Sequence, residues 1–555
     1  LLASFLRLWK LDVLPFDAHV DEVMNAYIGK FTLQNGMDLY GNPWPILYFD
    51  NFGDYPNILP MYLSGIGVLL FGNNEFGMRI PIALFGIAGV YLVYLISNLL
   101  FAKKSSALFA ALTMAIFPWH IVLSRATAEG VTAATVFLLG LYLFLRHLQK
   151  HHWLTLAGTY LAWFSTYLLY PSYRIVVPLA LLPTVLLVKQ KSKKLLFVSI
   201  AVIALVMTWL ISQTTWGTGR FEQTSLFSKE SKIYEMQAEF IAGEGHQNAL
   251  KARFFYNKVV MFGKEFVRQY ASYFSFDYLF AKGGLPMRYF VPDQGLWYYS
   301  YFLLFVFVLI SAITQNKFFT KYASQLLANS WQKKCFCYLC YLLLLAPLSA
   351  ALTIDDVPNV HRSAMMIPFL SILAGSAFYF LWQLPYRKII VTGFLIILGL
   401  EGIYSFNKYA LHSNKFQQVY RSPAIKNMAN YLALKKDHYD QIYIERKGET
   451  AIFYLFYNQI YDKKLMQKFQ TKLQIPKIDN INFTKHECVN PGLITEDLSQ
   501  KKTLFIVSAS CLEDRPKILQ SYPQLEEMAP IRSSRGDIIF RSYQLEATKS
   551  TKVLP

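Results

Sequence analysis

Two adjacent carboxylates, Asp21 and Glu22, stand in the stretch HVDEVMNAYIGK, close behind a first apolar segment, LLASFLRLW. A carboxylate at a membrane surface can take the proton of an attacking hydroxyl, while its neighbour orients substrate or a structural partner. Consecutive side chains point in different directions, so the pair divides these tasks. Glu129, with Arg125 one helical turn before it, supplies a further carboxylate on the same helix face. Arg174 and the His361–Arg362 pair supply cations, and a guanidinium suits phosphate because its fork binds bidentately and stays charged. A base, phosphate-binding cations and a greasy groove are what transfer of a group from a lipid phosphate to a hydroxyl requires.

Each of these residues also has a plain structural reading. Asp21 and Glu22 would serve equally as acids at a helix N-terminus, and Arg125 with Glu129 as an ion pair at a helix end. Arg174 and Arg362 would serve as snorkelling side chains at the membrane interface. What separates the readings is whether the residues meet on one face, and that is decided by the elements that carry them.

Those elements are apolar runs. The chain is 54% hydrophobic, 16% aromatic and 16% charged, with mean hydropathy +0.28. This is the pattern of an α-helical polytopic membrane protein. After the partial first segment, spans are expected near 78–101, 105–121, 130–146, 153–169, 172–188, 195–212, 297–314, 335–353, 360–382 and 389–404, about eleven in all. The chain does not begin with Met, and its first apolar block is too short to cross about 30 Å at 1.5 Å per residue, so a truncated first helix is expected. ILPMYLSGIGVLLFG, with Pro60, Gly65 and Gly67, is expected to lie in or dip into the interface.

Lys103–Lys104, RHLQKHH, KQKSKK, the segment from Lys317 to Lys334 and Arg387–Lys388 all follow even-numbered spans. The positive-inside rule makes that side cytoplasmic. It also accounts for much of the +19 net charge, which argues against a nucleic-acid partner. The loop 12–77, the SRATAEG and YPSYR turns, the loop 213–296, the DDVPNVHRS turn and everything from 405 then share the external face of a plasma membrane. All the candidate site residues fall there. The second half of the 213–296 loop is aromatic and glycine-rich, so it is expected to pack against the membrane or over a cleft.

Residues 1–404 are thus expected to form the transmembrane domain and 405–555 a small soluble extracytoplasmic α/β domain, from runs such as QIYIE, TLFIVSAS and DIIFRSYQL. Cys488 and Cys511 in that tail either pair or remain separate thiols. Cys335, Cys337 and Cys340 have no His or fourth Cys nearby and read as structural thiols. No metal-ligand cluster is convincing, although a divalent metal is compatible with the chemistry.

PFDAHVDEVMNAYIGKFTLQNG, NNEFGMRIPIALFG through PWHIVLSRATAEG, LLYPSYRIVVPLALL, FSFDYLFAKGG and NVHRSAMMIPFLSILAG resemble the protein O-mannosyltransferase and aminoarabinose transferase group of the glycosyltransferase C (GT-C) superfamily. The resemblance covers most of residues 12–405. It implies a polyprenyl-phosphate-sugar donor and inverting transfer, on the outer face, to a glycan, lipid or protein acceptor. Asp21 matches the catalytic base, Glu22 its neighbour and Glu129 the second acid, where many members carry Asp. Arg125, Arg174, His361 and Arg362 are the candidates for donor phosphate. The main rival is a transporter or flippase of lipid-linked sugars, which would keep carboxylates mid-span and often show inverted repeats. The chain has no repeat and only Glu401, near the end of its last span, as such an acid.

Overall fold

The structure is a computed structural model, which describes all residues except 50–54, 102, 189, 215, 217–223, 229–230, 244–248, 446–449, 468–474, 485–499, 510–523, 534 and 548–555. Cys488 and Cys511 lie outside the described residues. Cys335, Cys337 and Cys340 are free thiols, in the helix Ser330–Leu345.

Short α1 (Leu2–Leu8) leads through a loop to α2 (Val20–Asn35), α3 (Ile58–Phe71) and the long α4 (Glu75–Leu100). Then come α5 (Lys104–Ile116), α6 (Pro118–Arg125) and α7 (Glu129–Lys150). Five described helices are long and apolar enough to cross a membrane, or up to seven when each of two bent pairs counts as one crossing. Where eleven crossings are expected, the other apolar stretches form shorter helices, such as Met366–Leu381. The reasons are local. Pro118 has no N–H to continue α5, so α6 leaves at 56°. Tyr299–Ile313 stops before Asn316, whose side chain accepts from Phe318 N and starts a new helix at 103°.

Glu401 in the helix Arg387–Asn407 accepts the backbone N–H of Ser300 at 3.3 Å. The mid-span acid therefore serves the N-terminus of a neighbouring helix, where the dipole favours negative charge.

α2 crosses α3 almost backbone to backbone. A Cβ on Gly29 would collide with the Met61 carbonyl oxygen, and one on Gly65 with the backbone of Gly29. Apolar surface gives little drive to helix association beside lipid, so such close approach supplies the packing.

Among the described residues the tail carries a seven-stranded sheet made of β1 (Gln441–Glu445), β2 (Lys477–Ile478), β3 (Ile481–Thr484), β4 (Thr503–Ser508), β5 (Leu525–Glu527), β6 (Ile531–Arg532) and β7 (Ile538–Leu545), in the order β2-β3-β1-β4-β7-β5 with β6 also on β7. β1 pairs parallel with β3 and β4, while β7 closes antiparallel on β4. The β4 run TLFIVS is buried at every position, as a central strand covered on both faces requires. The tail is not suspended from the bundle. Val23, Tyr27 and Met61 of α2 and α3 share one hydrophobic cluster with Met428, Leu432, Ile442 and Phe453. At about 1.5–3 kcal/mol for each fully buried large apolar side chain, this seam holds the sheet against the helix that bears Asp21.

The aromatic part of the 213–296 loop packs against α6 and the segment around residue 358. Trp119 Nε1 donates to Gln294 O at 3.1 Å, and Gly283 turns with φ +71°, where a Cβ would strike the Trp119 ring. Leu285 N donates to Pro358 O at 2.9 Å and Val360 N to Leu285 O at 2.8 Å. Two loops far apart in sequence are thereby laced together.

Candidate active site

His19 begins the site. Its Nδ1 accepts from Asp21 N at 3.1 Å, and its own N–H donates to Glu22 Oε2 at 3.1 Å. This reciprocal cap starts α2 and sends the two carboxylates opposite ways. Burial pushes the imidazole down to about 4, so His19 is neutral near pH 7.

Glu22 turns inward and is fully buried. Arg79 and Arg421 reach its Oε2 at 3.1 and 2.8 Å, and Thr127 N donates to Oε1 at 3.2 Å. Burial alone would raise its pKa, but the guanidiniums of Arg421 and Arg79 hold the carboxyl well below the usual range. It is a fixed charge and does not line the cavity that Asp21 faces.

Asp21 turns outward, with 51% of its side chain exposed, and meets Arg288 Nη1 at 2.8 Å. It lines a cavity of about 400 Å³ together with Asn25, Glu129, Arg288, Asp356, His361 and Arg362. Loops placed by sequence on one side of the membrane, separated by hundreds of residues, therefore converge around one space.

Glu129 is the first residue of α7. Asn25 Nδ2 donates to its Oε1 at 3.4 Å, and its Oε2 lies 3.3 Å from His361 Nε2. Gly130 N donates to that same nitrogen at 2.9 Å. Burial lowers the His361 pKa, with Glu129 acting in the opposite direction, and its accepting nitrogen fits the neutral ring. Burial works against the charge of Arg288, yet Tyr289, Asp21 and Glu129 more than offset it and raise its pKa. The same cavity wall raises Asp356 through burial, against Arg362 and Arg288.

Arg362 lines the first cavity and also a second, of about 450 Å³, which shares Asn57, Tyr170 and Pro171 with it. Arg174 belongs to this second space. Its guanidinium lies 3.9 Å from the centre of the Trp216 ring, and its Nη2 donates to Asn57 Oδ1 at 2.8 Å. Ile175, Ile211 and Leu352 give this cavity an apolar side.

Arg125 stands apart from both cavities. The expected pairing with Glu129 on one helix face does not form, because α6 ends at Arg125 and Ala126 is extended at φ −103°, ψ 170°. The guanidinium instead donates to the carbonyls of Leu6 at 2.9 Å, Trp9 at 2.7 Å and Leu14 at 3.2 Å. It clamps the connection between α1 and α2.

Three arginines beside the candidate carboxylates, Arg79, Arg288 and Arg421, are not among the residues singled out from sequence; Arg79 lies in the NNEFGMRIP segment. Arg288 is one of two cations, with Lys282, in an aromatic stretch expected to pack against the membrane or over a cleft, which is a usable signal. Arg421 carried none. Among the described residues no three His, Cys, Asp or Glu side chains come together as a metal-ligand set.

Fold and site together define a helical membrane protein of GT-C architecture, with a polar cavity beside an apolar one and a small sheet region at its C-terminal end. Residues 54–212 match the family described as dolichyl-phosphate-mannose-protein mannosyltransferase. That segment holds Arg79, Glu129 and Arg174 but not Asp21. Among solved structures, ArnT from Cupriavidus metallidurans bound to undecaprenyl phosphate aligns at TM-score 0.50 with 13% identity, over 98% of this chain and 97% of that one. Apo ArnT from the same organism aligns at TM-score 0.48 with 13% identity, over 98% and 96%. No curated protein matches the chain.

Proposed function

We propose that this protein is a membrane glycosyltransferase that moves a sugar from a polyprenyl-phosphate-sugar donor to an acceptor hydroxyl on the extracytoplasmic face. The observation that carries this reading is the cavity in which the half-exposed Asp21 faces Arg288, Glu129, His361 and Arg362. The undecaprenyl phosphate in ArnT, whose fold this chain shares, supports a polyprenyl phosphate as the leaving group. The adjoining apolar cavity, with Arg174 and Arg362 at its polar side, suits a phosphate joined to a hydrocarbon chain.

In the reaction the acceptor hydroxyl oxygen bonds to the anomeric carbon of the sugar while Asp21 takes its proton. The bond between that carbon and the phosphate oxygen breaks, and polyprenyl phosphate departs with the added negative charge. Arg288 and Arg362, which line the same cavity as Asp21, are the cations assigned to stabilise that charge as it grows. A single displacement inverts the anomeric configuration. Glu129, held by Asn25 and close to His361, orients the acceptor or sugar, and Glu22 supports the backbone that presents Asp21. The acceptor is a glycan, lipid or protein hydroxyl, and a divalent metal is compatible with this chemistry.

Purified protein given a panel of labelled polyprenyl-phosphate sugars should transfer one of them, and Asp21→Asn should abolish transfer while leaving membrane insertion intact. Full activity in that variant overturns the assignment of the base. Cysteine labelling at Lys191 and in the tail should occur from opposite sides of the membrane, and labelling from one side overturns the orientation.

A further inference from the structure

We infer that Arg421, on the segment between the last apolar helix and the sheet, is a positioning residue for the proposed transfer: it fixes the helix start bearing Asp21 against the loop bearing Arg288. This rests on the roles given above to Asp21 and Arg288. Arg421 is 3% exposed, and its three side-chain nitrogens donate to three different acceptors, two around the start of α2 and one on the Arg288 loop. Nη2 reaches Glu22 Oε2 at 2.8 Å, Nε reaches Asp17 O at 3.0 Å and Nη1 reaches Arg288 O at 3.3 Å. The adjoining backbone repeats the pattern, for Ser422 N donates to Ala18 O at 3.0 Å. Gln417 Nε2, one turn earlier, donates to Phe290 O at 2.9 Å.

The residues flanking both members of the Asp21–Arg288 ion pair are thus tied to one short strap of the C-terminal region. No other side chain can repeat this, because only a guanidinium carries donors spread in a fixed planar fork. Lysine would keep the charge opposite Glu22 and lose the backbone bonds. The C-terminal region therefore supplies part of the frame that sets the distance from base to phosphate-binding cation.

Lys426 provides the comparison. It docks the same region on the bundle through Glu75 Oε2 at 2.7 Å, without touching the Asp21 or Arg288 segments. In the full-length protein, Arg421→Gln should lower kcat about 100-fold, the loss typical of a reacting group misplaced by about 1 Å, and leave KM for the donor within about threefold. Arg421→Lys should recover part of the loss, and Lys426→Met should retain the wild-type rate. Hydrogen exchange should quicken at the backbone amides of 18–22 and 287–290 in Arg421→Gln, with β1 and β4 as protected as in wild type. A wild-type kcat in Arg421→Gln overturns the inference, as does an equal loss in Lys426→Met or deprotection spread over the whole sheet. Should Arg421→Gln fail to insert, Arg421→Lys carries the same measurements. If wild-type protein transfers no sugar from any donor, the proposed function fails, while the exchange pattern still decides whether Arg421 holds the two segments.

Discussion

Replacing Glu22 and Asp21 one at a time should separate two adjacent carboxylates into a structural and a chemical one. Glu22→Gln keeps the side chain's size but removes the charge between Arg79 and Arg421, and it turns an N–H-bearing end toward a group of donors. The native carboxylate accepts from Arg79 at 3.1 Å, Arg421 at 2.8 Å, His19 N at 3.1 Å and Thr127 N at 3.2 Å. Breaking a buried pair this way costs about 3–5 kcal/mol, because the partners are left buried and uncompensated. Asp21 is 51% exposed where it pairs with Arg288, so Asp21→Asn should cost about 0–1 kcal/mol. Thermal unfolding of the detergent-purified variants, followed by tryptophan fluorescence beside a transfer assay, reads both quantities. Glu22→Gln should lose stability and activity together, and Asp21→Asn activity alone. The reasoning is refuted if Glu22→Gln unfolds at the wild-type temperature, or if Asp21→Asn is the less stable of the two. The sign with pH follows. The folded Glu22 pKa lies below its unfolded value, so its contribution is fully present above the unfolded value of about 4.3 and is lost as pH falls through the depressed folded one.

Three further outcomes are expected. His19, held down to about 4 by burial, stays neutral in the folded chain while the unfolded chain gains a proton near pH 6.5, so stability should decline between about pH 6.5 and 4. His19→Asn, which keeps a cap, should flatten that part of the curve in pH-dependent unfolding. Arg125→Leu leaves the carbonyls of Leu6, Trp9 and Leu14 without their donor, at about 1–3 kcal/mol for each buried group left unsatisfied; it should lower the unfolding temperature, with kcat of the surviving protein little changed. Gly29→Ala forces a methyl against the Met61 carbonyl and should destabilise by about 1–3 kcal/mol, visible as a lower unfolding temperature.

The helices were legible because long apolar runs leave little else to form, and Asp21 and Glu129 stood out as candidates because acids are rare beside such runs; they do line one cavity. Legibility ended where chain continuity did. Arg125 and Glu129 have helical spacing, but an extended Ala126 between them sets them on separate helices and directs them to different tasks. Arg288 and Arg421 answer to partners 267 and 399 residues away, and no local pattern carries such a distance. The number of crossings was blurred by Pro118 and Asn316, which turn single apolar runs into bent pairs. Arg174, an interfacial cation by its sequence position, is set instead by stacking on Trp216, which lies in another loop.

The crossing of α2 and α3 through Gly29 and Gly65 leaves no side chain between the two backbones, and soft side chains are what allow packed helices to slide. The wall bearing Asp21 consequently behaves as a fixed floor, joined on its far side to the sheet by a shared apolar seam. The opposite wall is loop, at 285–290 and 355–362, stitched across by two backbone hydrogen bonds. Because Arg421 and Gln417 tie residues 288 and 290 of that laced pair to the same strap that holds the start of α2, both walls keep their backbone spacing, and a change in the width of the cavity falls to side chains such as Arg362 and Asp356.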